Sequence, residues 1–261
     1  MTLEANSANP NDITVSVVSH GHGSMIADLF EDIRLNVASP VRVILTINRP
    51  DADEPWANRD YPFDLRIVRN PIPKGFGANH NAALSMTDGG LFCALNPDIR
   101  LASDPFPALA NLLREDRCGA VAPLILGPGR MPEDHARDFP SLFSLAAKAL
   151  GRHHATPPPR GATVYHPHWI AGMFMMFRTA ALKSVGGFDE RYFLYYEDVD
   201  LCARLRECGF DITVCTAVFA VHNARRESRR NLRFAAWHLQ SALRYLASHP
   251  RMAFGLYRRR P

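Results

Sequence analysis

The chain has 261 residues, 47% apolar and 21% charged, with a net charge of +4, a composition that suits one large buried core and excludes a disordered chain. Its longest apolar run, Trp169 to Phe177, stops at Arg178, far short of the roughly 20 residues a membrane span requires. Five cysteines without a CxxC pair argue against a disulfide framework or a zinc site, and for buried thiols in a reducing cytoplasm.

The length fits one α/β unit with a short appendage better than two small domains. Residues Met1 to Asp12 hold two acids and neither Lys nor Arg, so a polar leader is expected there and not a signal peptide. Ile13 to Ser19 (ITVSVVS) is a β-branched run and reads as a buried strand. Within Met25 to Val37, Ile26, Leu29, Phe30 and Ile33 recur at helical spacing. Val41 to Ile47 and Leu65 to Val68 read as strands, Phe76 to Met86 as a helix of small residues, and Leu91 to Leu95 as a fourth strand. This alternation predicts a parallel sheet with helices on its faces. Ligands of such sheets bind beyond the carboxyl ends of the strands, so chemistry is expected just after Ser19, Ile47 and Leu95.

Farther on, Pro157, Pro158 and Pro159 mark a loop, and Trp169 to Phe177 reads as one central strand. Thr179 to Val185 follows as a short helix, and Gly186 with Gly187 as a turn. Asp198 to Cys208 places Leu201 and Leu205 on one face, with acids in its first turn and Gly209 after its end, which are helix start and stop signals. Asp211 to Val221 is a strand, and Ser228 to Leu246 a last helix with Leu232, Leu239, Leu243 and Leu246 on one stripe.

Three constellations carry chemical potential. Asn96, Pro97 and Asp98 directly follow a strand, and a carboxylate there suits either a hard divalent cation holding a diphosphate or a capped Asn-Pro turn. Glu197, Asp198 and Asp200 follow the aromatic run Tyr192, Phe193, Tyr195, Tyr196; they fit helix caps, or a pocket in which one carboxylate takes a proton. His222 closes a strand and opens a tail with ten arginines against one acid. That tail sums to +9, leaving −5 for the other 221 residues. Such an appendage suits nucleic acid, an anionic membrane or a diphosphate, or is simply a solvated face.

Taken in order, Gly172 to Gly209 (GMFMMFRTAALKSVGGFDERYFLYYEDVDLCARLRECG), Asn70 to Asn81 (NPIPKGFGANHN) and Asn96 to Asp98 resemble the family 2 glycosyltransferases, most of all their bacterial rhamnosyltransferase branch. The resemblance runs from about Thr14 to His222. It implies an α/β chain with the GT-A nucleotide-sugar-binding fold, a mainly parallel central sheet flanked by helices, over residues 13–222, and a basic helical extension over 223–261. It further implies inverting transfer of a sugar, L-rhamnose from a dTDP donor, to a hydroxyl of a surface-glycan or lipid-linked acceptor with Mg or Mn as cofactor.

By the same resemblance Asp198 is the general base, and Asp98 and His222 hold the metal. Ser19, Asn48, Asn70, Gly75, Phe76 and Asn79, together with Asn96, Asp98 and Arg225, face the donor, while Arg226 and Arg229 add charge there. Trp169, Gly172, Gly187, Phe188, Glu197 and Asp200 face the acceptor or support the base. The chain departs from the pattern in three places. It has His20, Gly21 and His22 after the first strand, one carboxylate in the metal motif, and Asn48 and Arg49 after the second strand, where the family has a base-contacting Asp; Asn48 or Asp51 is the substitute. The competing reading is a non-catalytic nucleotide-sugar-binding or scaffold protein on the same fold. Nucleic-acid binding explains the arginine tail alone and is not expected. The expected location is cytoplasmic, peripheral on the inner face of the membrane, with Arg258, Arg259 and Arg260 on anionic lipid and Phe234, Trp237, Tyr245, Phe254 and Tyr257 at the interface.

Overall fold

The computed structural model describes residues 12–50, 53–127, 129–149, 161–223 and 232–257. The first half alternates as expected: β1 (Ile13–His20), α1 (Gly23–Asn36), β2 (Val41–Arg49), β3 (Asp64–Arg69), α2 (Phe76–Leu84) and β4 (Leu91–Leu95). These four strands run parallel in the order β3, β2, β1, β4. The register pairs Ser19 with Ile47, and Val17 with Leu95, so the carboxyl ends of β1, β2 and β4 share one edge.

Between Leu95 and Trp169, where the sequence suggested no regular element, lie β5 (Ile99–Arg100), α3 (Phe106–Leu112), β6 (Cys118–Leu126), β7 (Ala136–Arg137), α4 (Leu142–Ala149) and β8 (Val164–Tyr165). The strand β6 is well hidden in the sequence because it contains Pro123, which cannot donate to a ladder. Pro123 sits where the register with a later strand slips, the kind of irregularity that tolerates proline.

Trp169 to Phe177 is not the single strand its composition suggests. It divides into β9 (Trp169–Ile170), which pairs with β7 in a separate two-stranded ribbon, and β10 (Phe174–Arg178), which inserts antiparallel between β4 and β6. The break falls at Ala171–Met173 because the Gly172 N–H leaves the ladder and donates to the Asp198 carboxylate at 2.9 Å. Gly172 is the one mark of that diversion in the run, and nothing near it in sequence names Asp198 as the partner.

The chain continues through α5 (Thr179–Ser184), α6 (Glu197–Glu207), β11 (Asp211–His222), α7 (Leu232–Ser248) and α8 (Pro250–Ala253). Gly186 and Gly187 form the expected turn at φ +80° and +69°, the left-handed region open to glycine. β11 runs parallel to β6 and antiparallel to β5 and β8, completing a nine-stranded sheet among the described residues. Strand β4 shows how the sheet divides its core. Leu91, Cys93 and Leu95 face a layer with α1 and α3, whereas Phe92 and Ala94 face one with α2, α5, α6 and α7.

Four cysteines are buried thiols as expected, but Cys208, at the end of α6, is exposed. The leucine stripe of α7 also departs from a core role: Leu239 and Leu243 are 62% and 59% exposed, while Ala242, Tyr245 and Met252 pack inward. Tyr245 is therefore no interfacial aromatic; it is fully buried, 5.6 Å from the Tyr196 ring. Pro157, Pro158 and Pro159, the first residues of the expected last helix, and Arg258, Arg259 and Arg260 lie outside the described residues.

Candidate active site

At the shared strand edge, polar residues first secure the backbone. The Ser19 hydroxyl is buried and accepts the His22 N–H at 3.0 Å, closing the turn after β1. Asn48, also buried, uses its carbonyl to accept from Asn70 Nδ2 and the Lys74 N–H, both at 2.8 Å, and donates from Nδ2 to the Lys74 carbonyl at 2.8 Å. Asn70 donates to Asn79 Oδ1 at 2.6 Å, and Asn79 donates to the Gly75 carbonyl at 2.8 Å. Four of the expected donor-facing residues thus meet in one place, and the three asparagine side chains hold the 70–75 loop onto α2.

The glycines around this loop are spacing devices. A Cβ on Gly75 would lie 2.8 Å from the Phe193 carbonyl oxygen, which accepts the Phe76 N–H at 3.0 Å. A Cβ on Gly77 would lie 2.6 Å from Phe188 Cβ. These absences let the aromatic loop before α6 settle on α2. His80 is enclosed with them, its pKa pushed down to about 3 by burial and then by His20, and it meets Ser16 Oγ at 2.9 Å.

After β4, Asn96 donates its N–H to the Met173 carbonyl at 2.9 Å and bends the chain toward β11. There the Asn223 N–H donates to the Asp98 carbonyl at 2.8 Å, and His222 pairs in register with Ile99. The contact places His222 Nε2 3.2 Å from Asp98 Oδ2 and His222 Nδ1 2.7 Å from Glu133 Oε2. Burial alone depresses His222, but the two carboxylates outweigh it and raise the pKa to about 9. Asp98 Oδ1 is buried without a hydrogen-bond partner among the described residues. An orphaned carboxylate oxygen suits a hard cation such as Mg or Mn, and His222 would join it on giving up its Nε2 proton, although no group of three or more ligating side chains converges among the described residues. A bound cation would need its remaining ligands from phosphate and water.

The second acidic group opens α6. Tyr195 and Tyr196 enter it at φ +69° and +66°, strained for bulky residues by about 1–3 kcal/mol each. That turn aims Asp198 at Gly172: Oδ2 accepts the Gly172 N–H at 2.9 Å and Oδ1 the Val199 N–H at 2.8 Å. A Cβ on Gly172 would lie 3.2 Å from the Phe76 ring and 3.7 Å from Asp198 Cβ, so a larger residue would crowd the carboxylate. Burial raises the Asp198 pKa, against the two backbone donors and the Arg137 charge that lower it. Glu197 is 5% exposed with Oε2 unpartnered, and burial followed by the Asp198 charge raises it well above the usual carboxylate range. Burial thus raises both carboxyls, Glu197 the further, while the backbone N–H on each Asp198 oxygen favours its charged form.

Other expected acceptor contacts face inward. Asp200 is 2% exposed, bound by Arg204 Nε at 2.8 Å and His249 Nε2 at 2.9 Å, which makes it a tie between α6 and the start of α8. Phe188 is a core residue packed edge-on against Phe76 and Phe177, and Gly187 makes room for the Asn81 side chain. Trp169 is 8% exposed, its indole N–H donating to the Asp138 carbonyl at 3.0 Å beneath the Arg137 guanidinium. Arg225, Arg226 and Arg229 lie outside the described residues. The sequence reading overlooked Glu133 and Arg137, whose one signal is a charged run, EDHAR, separated by six residues from the end of an unrecognised strand.

Comparison with known proteins gives the family and the fold. The sequence model described as "Glycosyltransferase like family 2" matches residues 10–238. The rhamnosyltransferase WbbL of Escherichia coli (strain K12) is 28% identical over 248 residues, 90% of this chain and 92% of that protein. The N-acetylglucosaminyl-diphospho-decaprenol L-rhamnosyltransferase of Mycobacterium tuberculosis (strain H37Rv) is 29% identical over 263 residues, 90% of this chain and 84% of that one. Among solved structures, GalNAc-T7 with UDP, GalNAc and Mn2+ superposes with a TM-score of 0.72 at 14% identity, over 92% of this chain and 48% of that one. The mannosyltransferase PcManGT from Pyrobaculum calidifontis, with GDP-Man and Mn2+, gives 0.63 at 17% identity, over 94% of this chain and 65% of that one. This chain thus spans about half of the first solved structure and two thirds of the second. Their shared architecture is the GT-A fold.

Proposed function

The chain belongs to glycosyltransferase family 2, and on that premise we propose that it transfers L-rhamnose from dTDP-rhamnose to a hydroxyl of a lipid-linked glycan acceptor, with inversion at the anomeric carbon. The observation that carries this reading is the juxtaposition at one sheet edge of Asp98 with His222 and a backbone-held carboxylate, Asp198. The two relatives named as rhamnosyltransferases support the sugar, and the name of the Mycobacterium tuberculosis one supports the lipid-linked acceptor.

Asp98 and His222 would hold Mg or Mn, which would supply Lewis-acid stabilisation of the departing diphosphate. Asp98 and His222 hold the phosphate end of the donor; the loop secured by Asn48, Asn70 and Asn79 shapes the nucleoside end. Asp198 takes the proton of the acceptor hydroxyl as its oxygen bonds to the anomeric carbon from the face opposite the diphosphate. The bond from that carbon to the phosphate oxygen breaks, its electron pair leaves with the diphosphate, and the configuration inverts. The Gly172 and Val199 N–H groups keep Asp198 ionised and aimed.

A panel of nucleotide sugars, assayed with Mg, Mn or EDTA on an N-acetylglucosaminyl diphospho-lipid, tests this directly. Turnover of dTDP-rhamnose to an anomerically inverted product, lost with EDTA, is expected. A different preferred donor, a retained configuration or full activity in EDTA would overturn the corresponding part. Asp98→Ala should abolish metal-dependent dTDP binding, because the motif has no second carboxylate.

No described helix is long and apolar enough to cross a membrane. For a lipid-linked acceptor we assign peripheral docking to the extension after His222. Leu239, Leu243, Phe254 and Leu256 are all more than half exposed there, and residues 232–257 carry Arg233, Arg244 and Arg251 without one acid. Apolar side chains among arginines suit an anionic lipid surface. Salt-sensitive sedimentation with anionic but not neutral liposomes, weakened in Leu239→Glu/Leu243→Glu, is expected.

A further inference from the structure

Glu133 lies in the segment between β6 and β7, outside every motif that the family resemblance picks out. Its N–H donates to the Ile125 carbonyl at 2.8 Å, which fixes it beside the end of β6. Gly127 leaves room for its side chain, since a Cβ there would stand 3.1 Å from Glu133 Oε1. From this seat Glu133 Oε2 reaches His222 Nδ1 at 2.7 Å. A carboxylate only accepts, so the hydrogen bond requires the ring proton on Nδ1. Without a metal, His222 Nε2 carries the second ring proton and faces Asp98 Oδ2, 3.2 Å away, beside Asp98 Oδ1, which has no hydrogen-bond partner among the described residues. A cation that displaced the Nε2 proton would find the Nε2 lone pair and the Asp98 carboxylate side by side, while Nδ1 kept its proton and its hold on Glu133.

We propose that Glu133 is the positioning residue of the cation site: it fixes the His222 tautomer and ring orientation so that Nε2 and Asp98 converge on one metal ion. An imidazole that ligates a metal through one nitrogen and is held through the other by a carboxylate is oriented and made more basic, and losing such a partner costs about 10- to 100-fold in metal affinity. The inference rests on the metal-dependent reading above, but it concerns an arrangement within this chain and is measurable without turnover.

The test is Mn²⁺ titration of the full chain, followed by electron paramagnetic resonance, alone and with dTDP. Glu133→Ala should weaken Mn²⁺ binding by about 10- to 100-fold. Glu133→Gln, whose amide oxygen still accepts from Nδ1, should fall between it and the wild type. Metal-free dTDP binding and the thermal midpoint should change little. In the Mg²⁺-loaded wild type, ¹⁵N spectra of His222 should show the proton on Nδ1, and Glu133→Gln, which keeps the side-chain shape, should show a weaker bias. Unchanged Mn²⁺ affinity in both variants overturns the role of Glu133. Loss of metal-free dTDP binding in parallel with metal binding also overturns it, since that marks general disruption. Absence of Mn²⁺ binding in the wild type instead overturns the metal-dependent reading itself.

Discussion

Replacing Asp198 with asparagine separates chemistry from packing at the proposed base. The two carboxylate oxygens are used separately, Oδ2 for the Gly172 N–H and Oδ1 for the Val199 N–H. Asparagine has one acceptor oxygen, so its amide nitrogen must face one of those N–H groups and leave it unpaired. That costs about 1–3 kcal/mol, or roughly 2–4 °C of thermal midpoint per kcal/mol in a chain of this size. The chemical loss is larger. Without a group to take the acceptor proton, transfer should slow by about 10² to 10⁴-fold, which is about 2.7–5.4 kcal/mol of barrier. The substitution removes the Asp198 charge that helps raise the Glu197 pKa, while burial, the larger cause, persists; full activity in the variant would move the base to Glu197. The assay is single-turnover release of nucleoside diphosphate at saturating donor and acceptor, below both thermal midpoints, with calorimetric donor affinity beside it. Burial raises the wild-type Asp198 pKa, so the wild-type rate should fall on the acid side as the carboxylate gains its proton, and the residual rate of the variant should lack that limb. A rate loss no greater than the loss of folded protein, or an equal loss of donor affinity, would refute the assignment.

Arg137→Ala removes a charge that lowers the Asp198 pKa, so the acid limb of kcat/KM should move to higher pH; a limb that stays in place or moves down would count against the coupling. Glu197→Gln should stabilise the fold increasingly with pH. The native Glu197 pKa lies above its unfolded value, so the native state binds the extra proton and wild-type stability falls as pH rises from the unfolded pKa toward the folded one. The thermal-midpoint gap between variant and wild type should widen from pH 5 to pH 8, and a constant gap would overturn the assignment of the proton to Glu197. Gly77→Ala places a Cβ 2.6 Å from the buried Phe188 Cβ, an overpacking cost of about 1–3 kcal/mol. Chemical denaturation should show it, and no loss of stability would mean that α2 and the 188–193 loop separate easily.

The sequence by itself determined the elements whose pattern is local. β1, β2 and β4 are short, continuous β-branched or apolar runs, and α6 carries acids at its start and Gly209 after its end. The parallel order and the strand edge on which to seek chemistry followed from that alternation. The motif resemblance singled out Asp98, Asp198 and His222 as well. What the sequence left open depends on contacts between residues far apart in the chain. The split of Trp169–Phe177 exists because the Gly172 N–H bonds a carboxylate 26 positions away. Strand β6 is held by neighbours on both sides despite Pro123. Asp200 looks like a member of an acidic cluster until Arg204 and His249 occupy it. The leucine stripe of α7 is periodic, yet periodicity does not say which face meets the body; the fit of Tyr245 against Tyr196 does. Glu133 belongs to no sequence pattern, since its place beside His222 comes from the packing of the segment after β6 against the end of β11. Local periodicity and capping chemistry act within a turn or two of chain and are therefore written in the sequence; the direction of a side chain in the site is set by hydrogen bonds and close packing across tens of residues, which only the folded sheet brings within reach.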